Sequence, residues 1–442
     1  MKSPLNSFRK IYDNLTTRNQ NLQFASANLL VMISTFLLIP VILNVYGVNF
    51  LGVFSLILSI NLIVPLLDLG YANSIANNFN SSKDGPEIIN DSNKLKTDFL
   101  IIPGVFFTIT AIIALYHTDS IYTSIDGILS TREIRLLIIA MTVNSFMLLV
   151  FNVAHKIRLA LNLYKMSSYI LAINSMVVLI CSALAIWMKS TFTSFVMVYV
   201  ISSWLTHIFF LNRTIKLMPI EYSSDRMSGL DRRKGFNGFM PGSLTFFVAQ
   251  LSTIFAFQLD NFIVVRFLSL EDVATYATAV KFVAVPIAII ASYSLPLWTE
   301  TSRGAFGASK EQIFVNLSKI LKKRLLLIMP LALISFLTLP VIVDIWSSGK
   351  LKLSTDFVAC LSVWLVTAVI TQPIAMVTNG MLFKNFILFS GVTGAILNIS
   401  ISIFLCRNYN LLAGPIIGSV VSQIVTCLMP YYLIRRKFIE SD

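Results

Sequence analysis

Apolar runs of about 20 residues recur from one end of this chain to the other, and that is the length that crosses a bilayer as a helix. Inside hydrocarbon every backbone N–H and C=O must be bonded within the chain, so only helices and closed barrels are available. The dyad alternation of a membrane barrel is absent. Twelve runs can be delimited, at 22–45, 50–69, 99–116, 134–154, 168–188, 192–212, 240–267, 273–297, 325–346, 355–383, 386–405 and 411–434. Composition agrees: 12% of the 442 residues are charged, where a soluble chain carries about a quarter. The expected fold class is an all-α polytopic membrane protein with about 12 transmembrane helices.

The N-terminus, "MKSPLNSFRKIYDNLTTRNQN", is polar and basic, and the first apolar run reads as a retained signal-anchor. Of the 34 Lys and Arg residues, 26 fall in one set of loops and the two termini, 7 in the opposite set, and Lys281 within a span. By the positive-inside rule both termini are cytoplasmic. The net charge of +13 thus describes orientation in a membrane, and no nucleic-acid partner is expected.

Several chemistries are excluded. No GxxxxGK[ST] occurs, so the chain does not power itself with a nucleotide. His117, His155 and His207 are scattered, with no HExxH, and Cys181, Cys360, Cys406 and Cys427 lack metal or redox spacing. No metal and no cofactor is expected, although coupling to H+ or Na+ fits a transporter. The longest outward loop, about 117–133, is too short to host an active site, so the chain reads as a non-enzyme.

The inward loop "NRTIKLMPIEYSSDRMSGLDRRKGFNG" has the Gly, Ser and charge content of a linker. It divides the spans six and six: an N-terminal bundle at 1–220, a linker at 221–239 and a C-terminal bundle at 240–442. A weak repeat supports this division. "GVFSLILSINLIVP" overlays "VATYATAVKFVAVP" at an offset of 221, bringing Pro65 onto Pro286, and Lys165 and Lys384 fall at nearly the same offset. The segment "SKEQIFVNLSKILKKRLLL" has apolar residues at helical spacing with Lys310, Lys319, Lys322 and Lys323 between them, the pattern of a helix lying on the inner leaflet.

Charge inside the spans is rare, which makes "FAFQLDNFIVVRF" conspicuous. A lone charge at mid-membrane costs about 2.5–3.5 kcal/mol on insertion scales. Asp260 and Lys281 flank the turn "LSLED" almost symmetrically, so a tight hairpin sets both roughly 15 Å below the outer surface. Two readings stay open: an ion pair that pins two spans, or a pathway site in which Lys281 meets an anion and Asp260 a cation. Gln250, Gln258 and Asn261 lie near one face of the same span, where such residues also glue helices. Arg266 is near enough to the surface to snorkel. Asp68 closes the second span at its inward end, before Gly70.

These residues sit in motifs. "LLDLGYANSIANNF", "QLDNFIVVRFLSLEDVATYATAVKF", "PLWTETSRGAFGASKEQI" and "VTNGMLFKN" together resemble, in order and spacing, the bacterial O-antigen and polysaccharide flippases. Those belong to the multidrug/oligosaccharidyl-lipid/polysaccharide exporter superfamily. The resemblance implies two six-helix bundles around a central cavity. It implies translocation of an undecaprenyl-diphosphate-linked oligosaccharide to the periplasmic leaflet, for O-antigen, lipopolysaccharide or a related polysaccharide. A polysaccharide polymerase and a chain-length regulator are the partners it implies, besides the glycan and the lipid bilayer. Asp260 and Lys281 match its polar hairpin positions, Asn261 completes its Asp-Asn pair and Asp68 matches its span-two motif, while Gln258 joins them as a pathway candidate from its place on the same span; the many lumen arginines of such flippases are not evident. Two rivals stand beside this reading. A cation-coupled multidrug or metabolite exporter of the same superfamily would favour acidic lining residues, and a membrane glycosyltransferase or polymerase would need a large loop that is missing.

Overall fold

The computed structural model describes residues 26–27, 30–64, 128–160, 163–217, 252, 259–294, 297, 300–301, 309–380, 384–428 and 431–432. All regular structure among them is helical: α1 (Leu30–Val45), α2 (Val48–Ile63), α3 (Thr131–Ala160), α4 (Tyr164–Trp187), α5 (Phe192–Leu217), α6 (Asp260–Phe267), α7 (Leu270–Ser292), α8 (Lys310–Trp346), α9 (Thr355–Gly380), α10 (Lys384–Tyr409) and α11 (Gly414–Gln423), which runs on as a π turn through Leu428. Seven of these are long and apolar enough to cross a membrane, and α1, α2 and the last helix are shorter apolar ones. The chain is a multi-pass membrane protein. The run at 99–116 and the linker at 221–239 lie outside the described residues.

Helix starts follow local chemistry. Ser269 caps α7, its hydroxyl accepting from the Asp272 amide at 3.1 Å, with Glu271 and Asp272 in the first turn to meet the positive end of the helix. Ser309 caps α8 through the Gln312 amide at 3.3 Å. Gly47, at φ 99, turns the chain between α1 and α2, a conformation that a side chain would resist. Pro286, Pro330, Pro340 and Pro373 all sit inside helices, which spans tolerate because neighbours re-satisfy the freed carbonyls.

Packing gathers the chain into two compact units. The first holds α3, α4 and α5. Here α3 and α5 run parallel and meet at four levels. Thr193 donates to Glu133 at 3.3 Å, and Trp204 Nε1 to Asn144 Oδ1 at 2.9 Å. His207 stacks on Phe151 with ring centroids 4.5 Å apart, and Arg158 Nη1 donates to Thr214 at 2.9 Å.

The second unit holds α2 and α6 to α11. A Cβ on Gly52 would run into the Leu270 carbonyl, so α2 touches the start of α7 backbone to backbone. Between α10 and α11 a buried polar knot forms: Asn398 Nδ2 donates to Ser419 at 2.8 Å, and Ser402 donates to the Asn398 carbonyl at 2.6 Å.

The expected surface helix is corrected. Residues 310–323 are the first turns of α8, continuous with the span that follows. Their apolar face is covered by protein, since Ile313 and Leu317 pack with Leu297, Ile374 and Val377, and Ser318 meets the Tyr431 hydroxyl at 3.0 Å. Helical spacing marks a face that must be covered; it does not distinguish lipid from protein as the cover. Lipid-facing character starts later. Leu326, Met329, Leu333, Leu337, Val341 and Ile345 form an exposed apolar row, which at 1.5 Å per residue spans about 29 Å, a hydrocarbon thickness. Lys319, Lys322 and Lys323 are exposed just before it.

A Cβ at Gly418 would lie 2.6 Å from Ser402 Oγ and 2.7 Å from the Asn398 carbonyl oxygen, which is backbone and cannot yield. Gly418→Ala should therefore lower stability by about 1–3 kcal/mol. Gly394→Ala, whose Cβ meets only ordinary contacts with Thr426, should stay within about 0.5 kcal/mol. Thermal unfolding of the two variants in detergent checks both; equal losses would mean that the α10–α11 approach is not this close.

Candidate functional site: the α6–α7 hairpin

The hairpin turns on only two residues, Leu268 and Ser269, because the Ser269 cap starts α7 at once. That short turn decides what faces Asp260. Counting from Ser269, Asp260 is nine residues back and Tyr276 seven residues forward, so the two fall within one helical turn of each other. The Tyr276 hydroxyl donates to Asp260 Oδ2 at 2.7 Å. Tyr276 is itself buried, with its ring 6.0 Å from that of Phe357 on α9.

Lys281 is thus not the partner of Asp260. It lies a full turn deeper than the symmetric position, and five residues beyond Tyr276 rotate it about 140° around α7. Among the described residues Lys281 makes no hydrogen bond and no ion pair. The sequence expectation of equal depth rested on a turn centred near residue 270, which the cap at Ser269 shortens.

Beside Asp260, Asn261 donates from Nδ2 to Ser59 on α2 at 2.7 Å. What remains is a set of acceptors. Asp260 Oδ1, Asn261 Oδ1 and Thr278 Oγ1 are buried and have no hydrogen-bond partner among the described residues. Thr278, nine residues after Ser269, stands at the depth of Asp260. It lies about 160° round α7 from Tyr276, however, so the oxygens open beside each other are those of Asp260 and Asn261. Buried oxygens without donors are costly and rare in proteins, and such a pair is suited to a proton or a cation. Of the other expected site residues, Gln258 and Asp68 lie outside the described residues, as does Gln250.

Two arginines counted as loop cations turn out to be built into the packing. Arg324 donates from Nη2 to Ser294 at 2.8 Å and from Nη1 to the Val369 carbonyl at 3.4 Å, tying α8 to the turn that follows α7 and to α9. Arg158 is buried in the first unit. Both stand at the edge of an apolar run, where sequence alone cannot separate a loop from a helix end. The Asn398–Ser402 pair was also missed, although an Asn and a Ser four apart inside "ILNISISIF" share one helix face.

The profile of a polysaccharide biosynthesis protein family matches residues 22–297, well over half of the chain. The chain belongs to that family. No curated protein matches it. Among solved structures, an inward-facing multidrug resistance MATE family transporter of the MOP superfamily superposes with a TM-score of 0.67 at 15% identity, covering 95% of each chain. The lipid II flippase MurJ, inward closed, also gives 0.67, at 14% identity over 94% of this chain and 87% of its own. A MOP superfamily transporter from Pyrococcus furiosus gives 0.63 at 15% identity over 96% of both. At these identities the likeness carries the fold alone, an arrangement of helical bundles that those transporters share.

A double-mutant cycle should find the Asp260–Tyr276 pair coupled by about 1 kcal/mol, the scale of hydrogen bonds between membrane helices. The matching cycle on Asp260→Asn and Lys281→Gln should stay below about 0.5 kcal/mol. Thermal unfolding of each single and double variant measures both, and a larger coupling to Lys281 than to Tyr276 would overturn this hairpin register.

Proposed function

We propose that this protein is a flippase. It carries an undecaprenyl-diphosphate-linked oligosaccharide repeat unit from the cytoplasmic to the periplasmic leaflet of a bacterial inner membrane by alternating access, and both of its termini are cytoplasmic. The observation that carries this reading is a polysaccharide biosynthesis family joined to a fold that a lipid II flippase shares. Such cargo has a lipid tail, an anionic diphosphate and a polar glycan, and moving it requires no bond to be made or broken. The protein is therefore a transporter and not an enzyme, serving O-antigen, lipopolysaccharide or a related polysaccharide. A polymerase and a chain-length regulator act downstream of it.

Within this reading the hairpin divides the labour. Asp260, with Oδ1 open, takes the coupling H+ or Na+, and needs no resident cofactor. Lys281, which has no acidic partner among the described residues, meets the diphosphate. Asn261, Gln258 and Asp68 line the same pathway. Intramembrane charges of this kind mark transport routes more often than packing. The Asp260–Tyr276 bond supports separate roles for the aspartate and the lysine, since it engages the carboxylate without the ammonium.

One observation favours a second reading. The open oxygens of Asp260 and Asn261 are acceptors, which also suit the cationic cargo of a cation-coupled multidrug or metabolite exporter.

A deletion strain should go on making lipid-linked repeat units and accumulate them in the inner leaflet. Loss of their synthesis would refute the flippase reading, and a drug-sensitivity phenotype without accumulation would favour the exporter. In the same strain Asp260→Asn and Lys281→Gln should each insert yet lower surface glycan per inserted molecule by at least about tenfold, the effect of removing one hydrogen bond to a charged group. Exchanging the two charges should not restore export, because neither group would then stand where its ligand passes.

A further inference from the structure

The first unit holds a cation that the hairpin pathway does not use. Arg158 is only 3% exposed, though it lies in the last turn of α3, where a side chain of its length could snorkel to water. Instead it turns inward to the junction of three helices. Its Nη1 donates to Thr214 on α5 at 2.9 Å and its Nε to Ser167 on α4 at 3.4 Å. The Thr214 hydroxyl is oriented to receive it, because its own proton goes to the Phe210 carbonyl at 3.0 Å. Both hydroxyl residues are fully buried.

Among the described residues nothing neutralises this charge. An arginine stays protonated in proteins, and two neutral hydroxyls do not neutralise it. The sole carboxylate among the described residues of this unit is Glu133. It sits 25 residues up α3, about 37 Å away along the helix, and it binds Thr193 there. Five N–H groups make up the guanidinium fork, and its Nη2 edge has no acceptor among the described residues. With Nε and Nη1 each engaged, the two N–H groups of Nη2 remain, and a guanidinium with donors to spare fits an oxyanion.

The surroundings strengthen the positive field. Helix α4 begins beside Arg158, the Leu163 amide donating to the Arg158 carbonyl at 2.8 Å, and no side chain caps the start of α4. Its first-turn amides add the positive end of a 24-residue helix, and Lys165 stands exposed there. The level in the membrane is set by α4 too. Its exposed apolar row begins at Tyr169 and continues through Ile173, Met176, Ile180 and Leu184. Ser167 precedes that row, so the fork lies at headgroup depth, on the side that the basic loops place in the cytoplasm.

We infer that the Arg158 guanidinium, fixed between Ser167 and Thr214 where α3, α4 and α5 meet, binds a phosphate oxyanion, supplied by an anionic lipid headgroup or by a diphosphate. The site is built within the first unit alone and is separate from Asp260 and Lys281. Its test scores binding and not export, so its failure leaves the flippase reading standing.

The full chain is placed in phosphatidylcholine nanodiscs and its thermal unfolding followed during titration with inorganic pyrophosphate, with sodium chloride at matched ionic strength as control. A second set of nanodiscs contains phosphatidylglycerol. A ligand bound only by the folded state raises the unfolding temperature in a saturable way. Stabilisation by pyrophosphate identifies a soluble or cargo diphosphate as the source, and stabilisation by phosphatidylglycerol alone identifies the lipid. Arg158→Gln should raise the concentration needed by at least about tenfold, the effect of removing one charge-assisted hydrogen bond. Arg158→Lys, which keeps the charge without the fork, should fall between. If Arg158→Gln does not insert, Arg158→Lys and Thr214→Val decide, each expected to weaken the response. The inference is overturned if neither probe exceeds matched salt. It is equally overturned if the variants melt earlier yet keep the wild-type increment, since the arginine would then only tie the helices.

Discussion

Helices in a bilayer gain little from burying apolar surface against each other, because lipid tails serve as well as leucine. What fixes their arrangement is the small number of polar groups that hydrocarbon cannot satisfy, together with the small residues that let backbones touch. The helix junctions of this protein are of that sort. Glu133, Asn144 and Arg158 hold α3 to α5; Asn261 holds α6 to α2; Asn398 holds α10 to α11, where Gly418 lets the backbones approach. The same scarcity gives the hairpin oxygens their meaning. Other buried polar atoms are open among the described residues, at Asn174, Ser182, Gln372 and Gln423 for instance, but only at Asp260 and Asn261 do two fall on adjacent residues, one of them a carboxylate.

Much of this was legible in the sequence, and for a physical reason. Span length and the bias of Lys and Arg between loops are imposed by the bilayer itself, so they can be read without knowing what packs on what. Most of the described helices overlap the apolar runs on that account, α8 starting well before its own. Asp260 stood out for the same reason, as a charge where the solvent forbids one.

Its neighbour was harder to read. Depth along a hairpin depends on where the turn ends, and a single capping serine at 269 moved the register enough to exchange Lys281 for Tyr276. Periodicity failed in a related way at residues 310–323. Apolar spacing reports that a face is covered, and Leu297, Ile374 and Val377 covered it where lipid was expected. Arg158 and Arg324 were taken for loop residues because they stand where apolar runs fade, and only tertiary packing shows that they turn inward.

The four contacts between α3 and α5 carry a mechanical consequence. They are spread from Glu133 to Arg158, so they act like dowels through two parallel rods. Sliding one rod by a single helical turn, about 5.4 Å, would shear all of them together, since a hydrogen bond survives only a few tenths of an ångström of stretch. Twisting one rod about its axis would break them just as surely. This pair can tilt or translate only as one stiff beam, and whatever strain is imposed on it must be absorbed at its ends.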